Sequence, residues 1–329
     1  MAKRLRWIVP LVVLCLGIAA HAEAAVPAAR VLETKGKVVV KPKGDDSREL
    51  APLDTVYLDE KVVLVSGSSA VLAFRADGHI ERLSQPGEVV VTKTGCDPKT
   101  GVEVLEAPER HKKLVSATVM SLHPRGSAGV TIFRSAGPGK PPPMRISPVR
   151  GSTILTERPR LAWSAVPDAV RYEVAVKVDP KGWGMTTKET QADYPGDPPL
   201  KPGSLHEWLV TVTLADGTTR HACEGEFTVA TEEQRARAAD LKPLATGTDV
   251  AYLALAAVWY DENNMIPEAV AAYERLVSLE PGVAVFHFAL SRLYMREERP
   301  ADSQKAYARG RQLKPLPAKP PRPSWLPKG

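Results

Sequence analysis

The 329-residue chain is 43% hydrophobic and 25% charged, enough apolar side chain for packed cores, but with only 5 Phe, 6 Trp and 8 Tyr the expectation is several small cores rather than one large one. It carries 30 prolines and no uninterrupted apolar run of the roughly 20 residues a bilayer span needs, which excludes a multi-pass membrane protein. The net charge of +6 does not point to nucleic acid: residues 109–150 carry an excess of seven positive charges and 314–329 of four, whereas 25–108, 151–229 and 230–313 are each negative by two or three.

The N-terminus reads as an export signal. Lys3, Arg4 and Arg6 precede an apolar run from Trp7 to Ala20, and Ala20-His21-Ala22 or Ala22-Glu23-Ala24 offers the small-x-small pattern of a cleavage site. The expected mature chain starts near Glu23 or Ala25, has no transmembrane span, and is periplasmic or cell-envelope. Residues 1–24 are therefore set apart from fold reasoning. Leu14 before Cys15 is bulky where a lipoprotein signal needs a small residue, which disfavours a lipid anchor. Cys96 and Cys223 remain, too few for a disulfide framework; whether they pair is left open.

Residues 25–107 are expected to form a small β domain of short strands: Gly36 to Val40, Val62 to Val65, Ala70 to Phe74, His79 to Leu83 and Glu88 to Val91. Asp77-Gly78 predicts a tight hairpin, because those residues accept the positive φ of a two-residue turn. With Val31, Gly36-Lys37-Val38, the Val62 to Ser69 strand and turn, Ala70 to Phe74, Asp77-Gly78 and Leu83 in this order, the unit resembles the FecR-like domain of bacterial envelope proteins. Leu58, ahead of Asp59-Glu60, departs from that pattern.

Residues 108–146 read as a basic connecting segment containing two strand-like runs, Leu114 to Leu122 and Val130 to Arg134, and an extended Gly137 to Pro143 spacer. Its charge suits contact with an envelope polymer or anionic surface, or is solvated linker charge. In residues 147–230, Trp163, Tyr172, Val174, Val176, Trp208, Val210, Val212 and Phe227 alternate into one core between two sheets. With Pro159 to Trp163, Ala169 to Val176, His206 to Val212, the Asp216-Gly217 turn and Gly225 to Val229 in this order, the unit resembles a fibronectin type III-like sandwich, a module that implies no particular function.

Residues 231–315 repeat with a period of 34: Ala256 falls on Leu290, Tyr260 on Tyr294, Ala269 on Ser303, Tyr273 on Tyr307, Leu279 on Leu313 and Pro281 on Pro315. A small Ala269 or Ser303 lets a second helix approach a first, the tyrosines fill the gap, and Pro281 and Pro315 end the second helices. The pattern resembles a pair of tetratricopeptide repeats, from which Gly310 and His287 depart. Such pairs bind peptides, and by repeat position Asn263, Asn264 and Arg292 are the candidate partner-binding residues. Leu253, Leu255, Val258 and Trp259 surround the first helix, so it needs a cover, either a Thr231 to Leu241 helix with the opposite face left free or a second copy. Residues 316–329 form a basic Pro-rich tail.

The fold class is multidomain, mainly β with a helical C-terminus. Phosphate-loop, His-Glu-x-x-His, Gly-x-Ser-x-Gly and Cys-x-x-Cys motifs are missing, and Asp45-Asp46 and Asp59-Glu60 fall in turns where acids bond local amides. His79 reads as a hairpin residue, while His206 and His221 are placed to face each other across adjacent strands. No catalytic, cofactor or metal residue is assigned, and no nucleic-acid partner. The expected function is an exported cell-envelope binding or scaffold protein that engages a protein or peptide through its helical repeats. Two alternatives remain. One is a signal-sensing regulator of the FecR type, which needs a separate membrane partner because six residues precede the apolar run; the other is a protein or enzyme acting on envelope polymers.

Overall fold

A computed structural model describes residues 25–42, 46–106, 115–120, 144–179 and 181–314. The export signal, the runs Val130 to Arg134 and Gly137 to Pro143, Asp45, Pro315 and the tail lie outside them. The described chain is mainly β, with several sheets and a helical C-terminal region.

The first unit pairs two five-stranded antiparallel sheets. One runs β10-β7-β6-β1-β4, built from β1 (Pro27–Lys35), β4 (Thr55–Tyr57), β6 (Ser69–Phe74), β7 (Ile80–Leu83) and β10 (Val102–Leu105). The other runs β3-β2-β5-β8-β9, from β2 (Val38–Lys41), β3 (Arg48–Glu49), β5 (Lys61–Leu64), β8 (Gly87–Thr92) and β9 (Gly95–Asp97). Val31, Leu72 and Phe74 of the first sheet meet Val38, Val40, Val62 and Val91 of the second in one core. The Asp77-Gly78 turn is longer than expected. Residues 75–79 separate β6 from β7, Phe74 N–H donates to His79 O at 2.8 Å, and only Gly78 of this loop takes a positive φ, +78°.

β1 and β6 are buried on both faces. Their Val31, Leu72 and Phe74 point between the sheets, while Leu32, Val71 and Ala73 point the other way into a second core shared with the helices. This is why Ala70 to Phe74 reads as an uninterrupted apolar run rather than an alternating one.

The run Leu114 to Leu122, expected as a strand, is instead helical over residues 115–120 (α1). Val115, Thr118 and Val119, three and four apart, are its buried positions, a helical period. Val115 and Val119 join the second core, and α1 lies so close on the β6–β7 loop that a Cβ at Gly78 would sit 2.2 Å from Ser116 Cα.

The middle unit is a two-sheet sandwich. Its three-stranded sheet runs β11-β13-β16, from β11 (Ile146–Ser147), β13 (Arg160–Trp163) and β16 (Gln191–Asp193). Its five-stranded sheet runs β12-β18-β17-β14-β15, from β12 (Ser152–Ile154), β14 (Ala169–Val176), β15 (Trp183–Thr187), β17 (Leu205–Leu214) and β18 (Thr219–Val229). All eight residues expected to alternate into the core are buried there, with Trp163 at 5.4 Å from Tyr172 and 6.4 Å from Trp208, ring centroid to centroid. Gly225, cross-strand partner of Trp208, leaves room for that indole: a Cβ would lie 2.5 Å from Trp208 Nε1.

Five helices follow: α2 (Glu232–Ala245), α3 (Val250–Glu262), α4 (Ile266–Leu279), α5 (Ala284–Arg296) and α6 (Pro300–Leu313). Thr231 and Gln234 close a reciprocal capping box at the start of α2, and Asp249 caps α3 by accepting from the amides of Ala251 and Tyr252. The 34-residue period is exact in the backbone: α3 and α5 start and end 34 apart, as do α4 and α6, and Asn264 and Glu298 both take a left-handed φ, 57° and 55°. Ala269 and Tyr273 are fully buried, and Pro281 follows α4. Ser303 Oγ donates to Ser291 O at 2.8 Å, the close approach that a small residue permits. Tyr294 bonds Glu274 at 2.7 Å under the Arg299 guanidinium, and Tyr307 packs on Phe288 at 5.8 Å.

The two departures from the repeat pattern have local causes. His287 is buried with Nε2 at 3.0 Å from Pro281 O, and Gly310 makes way for Phe288, whose ring atoms lie 2.7 Å from where a Cβ would stand. Gly310→Ala should therefore destabilise the chain by about 1–3 kcal/mol through overpacking despite its better helix propensity. The double variant Gly310→Ala/Phe288→Leu should recover part of that loss in urea denaturation.

Candidate interaction surface

Helix α3 offers almost no polar face: every residue from Ala251 to Asp261 except Tyr252 is buried. Two different neighbours cover it. On one side α2 and α4 pack against it, and Tyr260 Oη donates to Ala238 O at 3.0 Å. Burial pushes the Tyr260 hydroxyl up to about 12, so it stays a donor across the physiological range. On another side lies β1 of the first unit, whose Leu32, with Leu53, Val71, Ala73 and Ile80, shares one apolar core with Leu253, Leu255, Val258 and Trp259. A Thr231 to Leu241 helix was expected as a cover and α2 supplies it; the expectation that the opposite face stays free does not hold for α3. Trp259 is 5% exposed within a single chain.

The joint between β1 and α3 contains a buried ion pair. Arg30, in the middle of a strand that is otherwise apolar from Ala28 to Leu32, places Nη2 3.4 Å from Glu262 Oε1 and donates through Nη1 to Leu53 O at 2.7 Å. The two side chains are 3% and 5% exposed. A pair so thoroughly desolvated adds little net stability, but either charge alone would be costly. α1 is tied to the helices as well, by Arg237 Nη1 donating to Thr118 Oγ1 at 3.2 Å.

The three candidate partner-binding residues all make bonds inside the chain. Asn263 caps α3 by donating to Trp259 O at 2.9 Å and accepts from Gln234 of α2 at 3.2 Å. Asn264 O accepts from Thr153 N of the sandwich at 2.9 Å, and its side-chain Oδ1 accepts from Arg296 Nη1 at 2.8 Å. Arg292 forms a fork on the Asp261 carboxylate, with Nη1 donating to Oδ1 at 3.0 Å and Nη2 to Oδ2. Arg296 reaches the backbone of Gly151 at 3.2 Å. The turns between paired helices thus abut the sandwich.

Other sequence candidates separate. His206 pairs in register with Phe227 and His221 with Thr211, so the two histidines do not face each other; His206 is buried with Nε2 3.2 Å from Lys201 O, and His221 is exposed beside Glu224. Asp59 occupies a left-handed turn, φ 66°, and Glu60 accepts from Tyr57 N at 2.9 Å, the local roles expected of turn acids. Cys96 and Cys223 are buried free thiols in different cores, and burial raises both, Cys223 to about 12.

One polar cluster escaped the sequence reading. Glu81, with a fully buried side chain, accepts from Lys99 Nζ at 2.6 Å and Cys96 N at 2.8 Å, and lies 3.3 Å from His79 Nε2, while His79 Nδ1 is 2.5 Å from Asp77. Although burial opposes it, the Lys99 and Cys96 donors hold the Glu81 carboxyl below its usual range. The cluster pins β9 to β7, and Gly95 is required beside it because a Cβ there would lie 2.4 Å from both Glu81 Oε1 and Lys99 Nζ. No sequence motif marks it, since its members come from the β6–β7 loop, β7, β9 and the turn after β9. Among the described residues, no group of three or more His, Cys, Asp or Glu is arranged to hold a metal ion, and no helix is long and apolar enough to cross a membrane.

A groove of about 600 Å³ remains open between α2 and α4. Its lining is largely apolar: Ala238, Ala239, Ala271 and Ala272, with Tyr260 of α3 and Leu155 of the sandwich, and with Arg235, Lys242, Glu268 and Arg275 at the margins. Arg235 is paired with Glu157, and Arg275 Nε donates to Gly247 O at 2.5 Å. Burial raises the Glu268 carboxyl above its usual range.

No protein-family model and no curated protein matches the chain. Among solved structures, FN3tt is 15% identical over 26% of this chain and 92% of its own, with a TM-score of 0.21. An Fn3-like protein from Clostridium thermocellum is 17% identical over 27% and 95%, with a TM-score of 0.19. A β-1,2-glucanase from Parabacteroides distasonis is 10% identical over 88% of this chain and 59% of its own, with a TM-score of 0.21. At these scores the likenesses carry no argument, and the two-sheet description of the middle unit stands on its strand pairing.

Two measurements probe this surface. Arg30→Met, which removes the guanidinium that Glu262 and Leu53 O share, should cost about 3–5 kcal/mol in urea denaturation, and the added change Glu262→Leu should restore part of it. Glu268 has a raised folded pKa, so its stabilising contribution is complete below the unfolded carboxylate pKa and is lost as pH rises through the folded value. Glu268→Gln should therefore raise the melting temperature at pH 7 and leave it unchanged in acid.

Proposed function

We propose that the chain is an exported cell-envelope binding and scaffold protein in which two β modules, FecR-like and fibronectin type III-like, hold a tetratricopeptide-like helical pair that engages a protein partner. The leader supports export, and the module order supports a non-catalytic role. One observation carries the reading: α3 is covered by α2, α4 and the first β unit, yet a large apolar groove between α2 and α4 is left open to solvent. In this arrangement Asn263, Asn264 and Arg292 hold the groove's supports together, and the partner is met on the outer side. The basic segment and tail add contacts to an anionic envelope surface.

The test places a photo-crosslinking residue, one at a time, at exposed positions of each unit in the native host: Glu103 in the first, Glu173 in the sandwich, and Ala271 and Gln304 in the helical pair. The expected result is an adduct of defined mass with a different envelope protein from the helical positions. Adducts from the β units alone, or turnover of an envelope polymer by the purified chain, would overturn the reading.

A further inference from the structure

We propose that the groove between α2 and α4 receives an amphipathic helix of a partner protein, its apolar ridge on the alanine floor and its carboxylates against Lys242 and Arg275. This rests on the reading of the helical pair as the partner-binding part and adds the chemistry of what it binds.

The floor dictates the shape of the occupant. Ala238 and Ala239 on α2 face Ala271 and Ala272 on α4, so both walls are cut back to a single carbon and a rod with projecting side chains fits between them. Apart from Leu155 and Thr246, the lining comes from helices, and the main-chain groups left without an intrahelical partner are few and scattered: the Glu268 amide in the first turn of α4, the Ala239 carbonyl opposite Pro243 and the Ala245 carbonyl at the end of α2. An extended peptide would find no continuous row of main-chain partners there, whereas a helix brings its own backbone bonds and needs only side-chain contact.

The margins dictate the charge. Arg275 bonds Gly247 O in the loop after α2, and Lys242 stands in the last turn of α2, so the two cations frame one end of the groove. Lys242 is exposed, and Arg275 spends only its Nε on the chain. At the other end Arg235 is neutralised by Glu157, and Glu268 in the first turn of α4 disfavours a further acid. A helix with carboxylates at one end and apolar or neutral residues toward the other matches this gradient. The chain's own tail does not: Lys319, Arg322 and Lys328 are its only charged side chains, all of the sign that Lys242 and Arg275 repel.

The test uses the full chain in its native host with the photo-crosslinking residue at Ala271, alone and combined with Lys242→Glu or Lys242→Arg. The expected adduct maps by tandem mass spectrometry to a segment of another protein with apolar residues three and four apart and at least two carboxylates. Its yield should fall at least tenfold with Lys242→Glu and hold with Lys242→Arg, all variants melting at the parent temperature. An adduct of twice the chain's mass, a neutral or basic crosslinked segment, no adduct at Ala271, or a yield indifferent to Lys242→Glu would each overturn the proposal. Adducts at Gln304 without any at Ala271 would sink the groove while sparing the broader reading, so the two failures are distinguishable.

Discussion

Helix α3 has nowhere to put a solvent-facing side, and the rest of the structure follows from that. From Ala251 to Tyr260 its sequence contains no charged residue, so every direction around the axis needs a covering element. α2 and α4 supply two, as neighbours in any stacked helical array do. A two-repeat array has no further helix for the remaining side, and the first β unit supplies it through β1. Burying a large apolar side chain contributes about 1.5–3 kcal/mol, and the continuity of one apolar cluster from Leu32, Val71 and Ala73 into α3 makes this joint core rather than contact between independent domains.

That joint forces compromises on β1 and β6. A strand of a two-sheet unit normally buries one face and wets the other, whereas these two must satisfy a core on each side. Arg30 is the exception: the alternation that carries Leu32 into the helical core also carries Arg30 there, where Glu262 and Leu53 O accept its charge and donors. An ion pair in that position does little for net stability but penalises any docking that separates the partners, so it fixes the register of β1 on α3. The polar joints at Asn264 and Arg296 act in the same way on the sandwich side, and the Arg292 fork on Asp261 does so between α5 and α3, each using directional bonds where apolar packing alone would tolerate sliding.

These demands also explain which parts of the chain were legible. The 34-residue period was, because it arises from contacts within and between adjacent repeats, and it is repeated down to the left-handed turns at Asn264 and Glu298. The sandwich core was, because Trp208, Val210 and Val212 alternate against a single partner sheet. Inter-module packing was not, although it left a trace: Ala70 to Phe74 is apolar without a break, the mark of a strand covered on both faces, and residues 115–119 carry buried positions in a 3–4 spacing rather than in alternation. The edge strands β3, β4, β9 and β11 were missed for another reason, since two or three residues are too few to display any period. Asn263, Asn264 and Arg292 were legible as polar residues at repeat turns, but whether such residues face a partner or a neighbouring module depends on long-range packing that no local pattern records.

A short array held from within differs physically from a long solenoid that exposes a wide binding face. In a solenoid each repeat is supported only by its neighbours, and the inner surface stays free along the stack. Here the first helix of the pair is spent on intramolecular support, and the capped end α2 stands beside α4 across a gap lined by alanine instead of closing on it. Larger residues at Ala239 and Ala271 would have filled the gap and added burial at no evident cost, since both positions are exposed. Stability alone therefore does not account for the small side chains. Space kept open beside a helix that is otherwise covered by α2, α4 and the first β unit is what a docking groove requires.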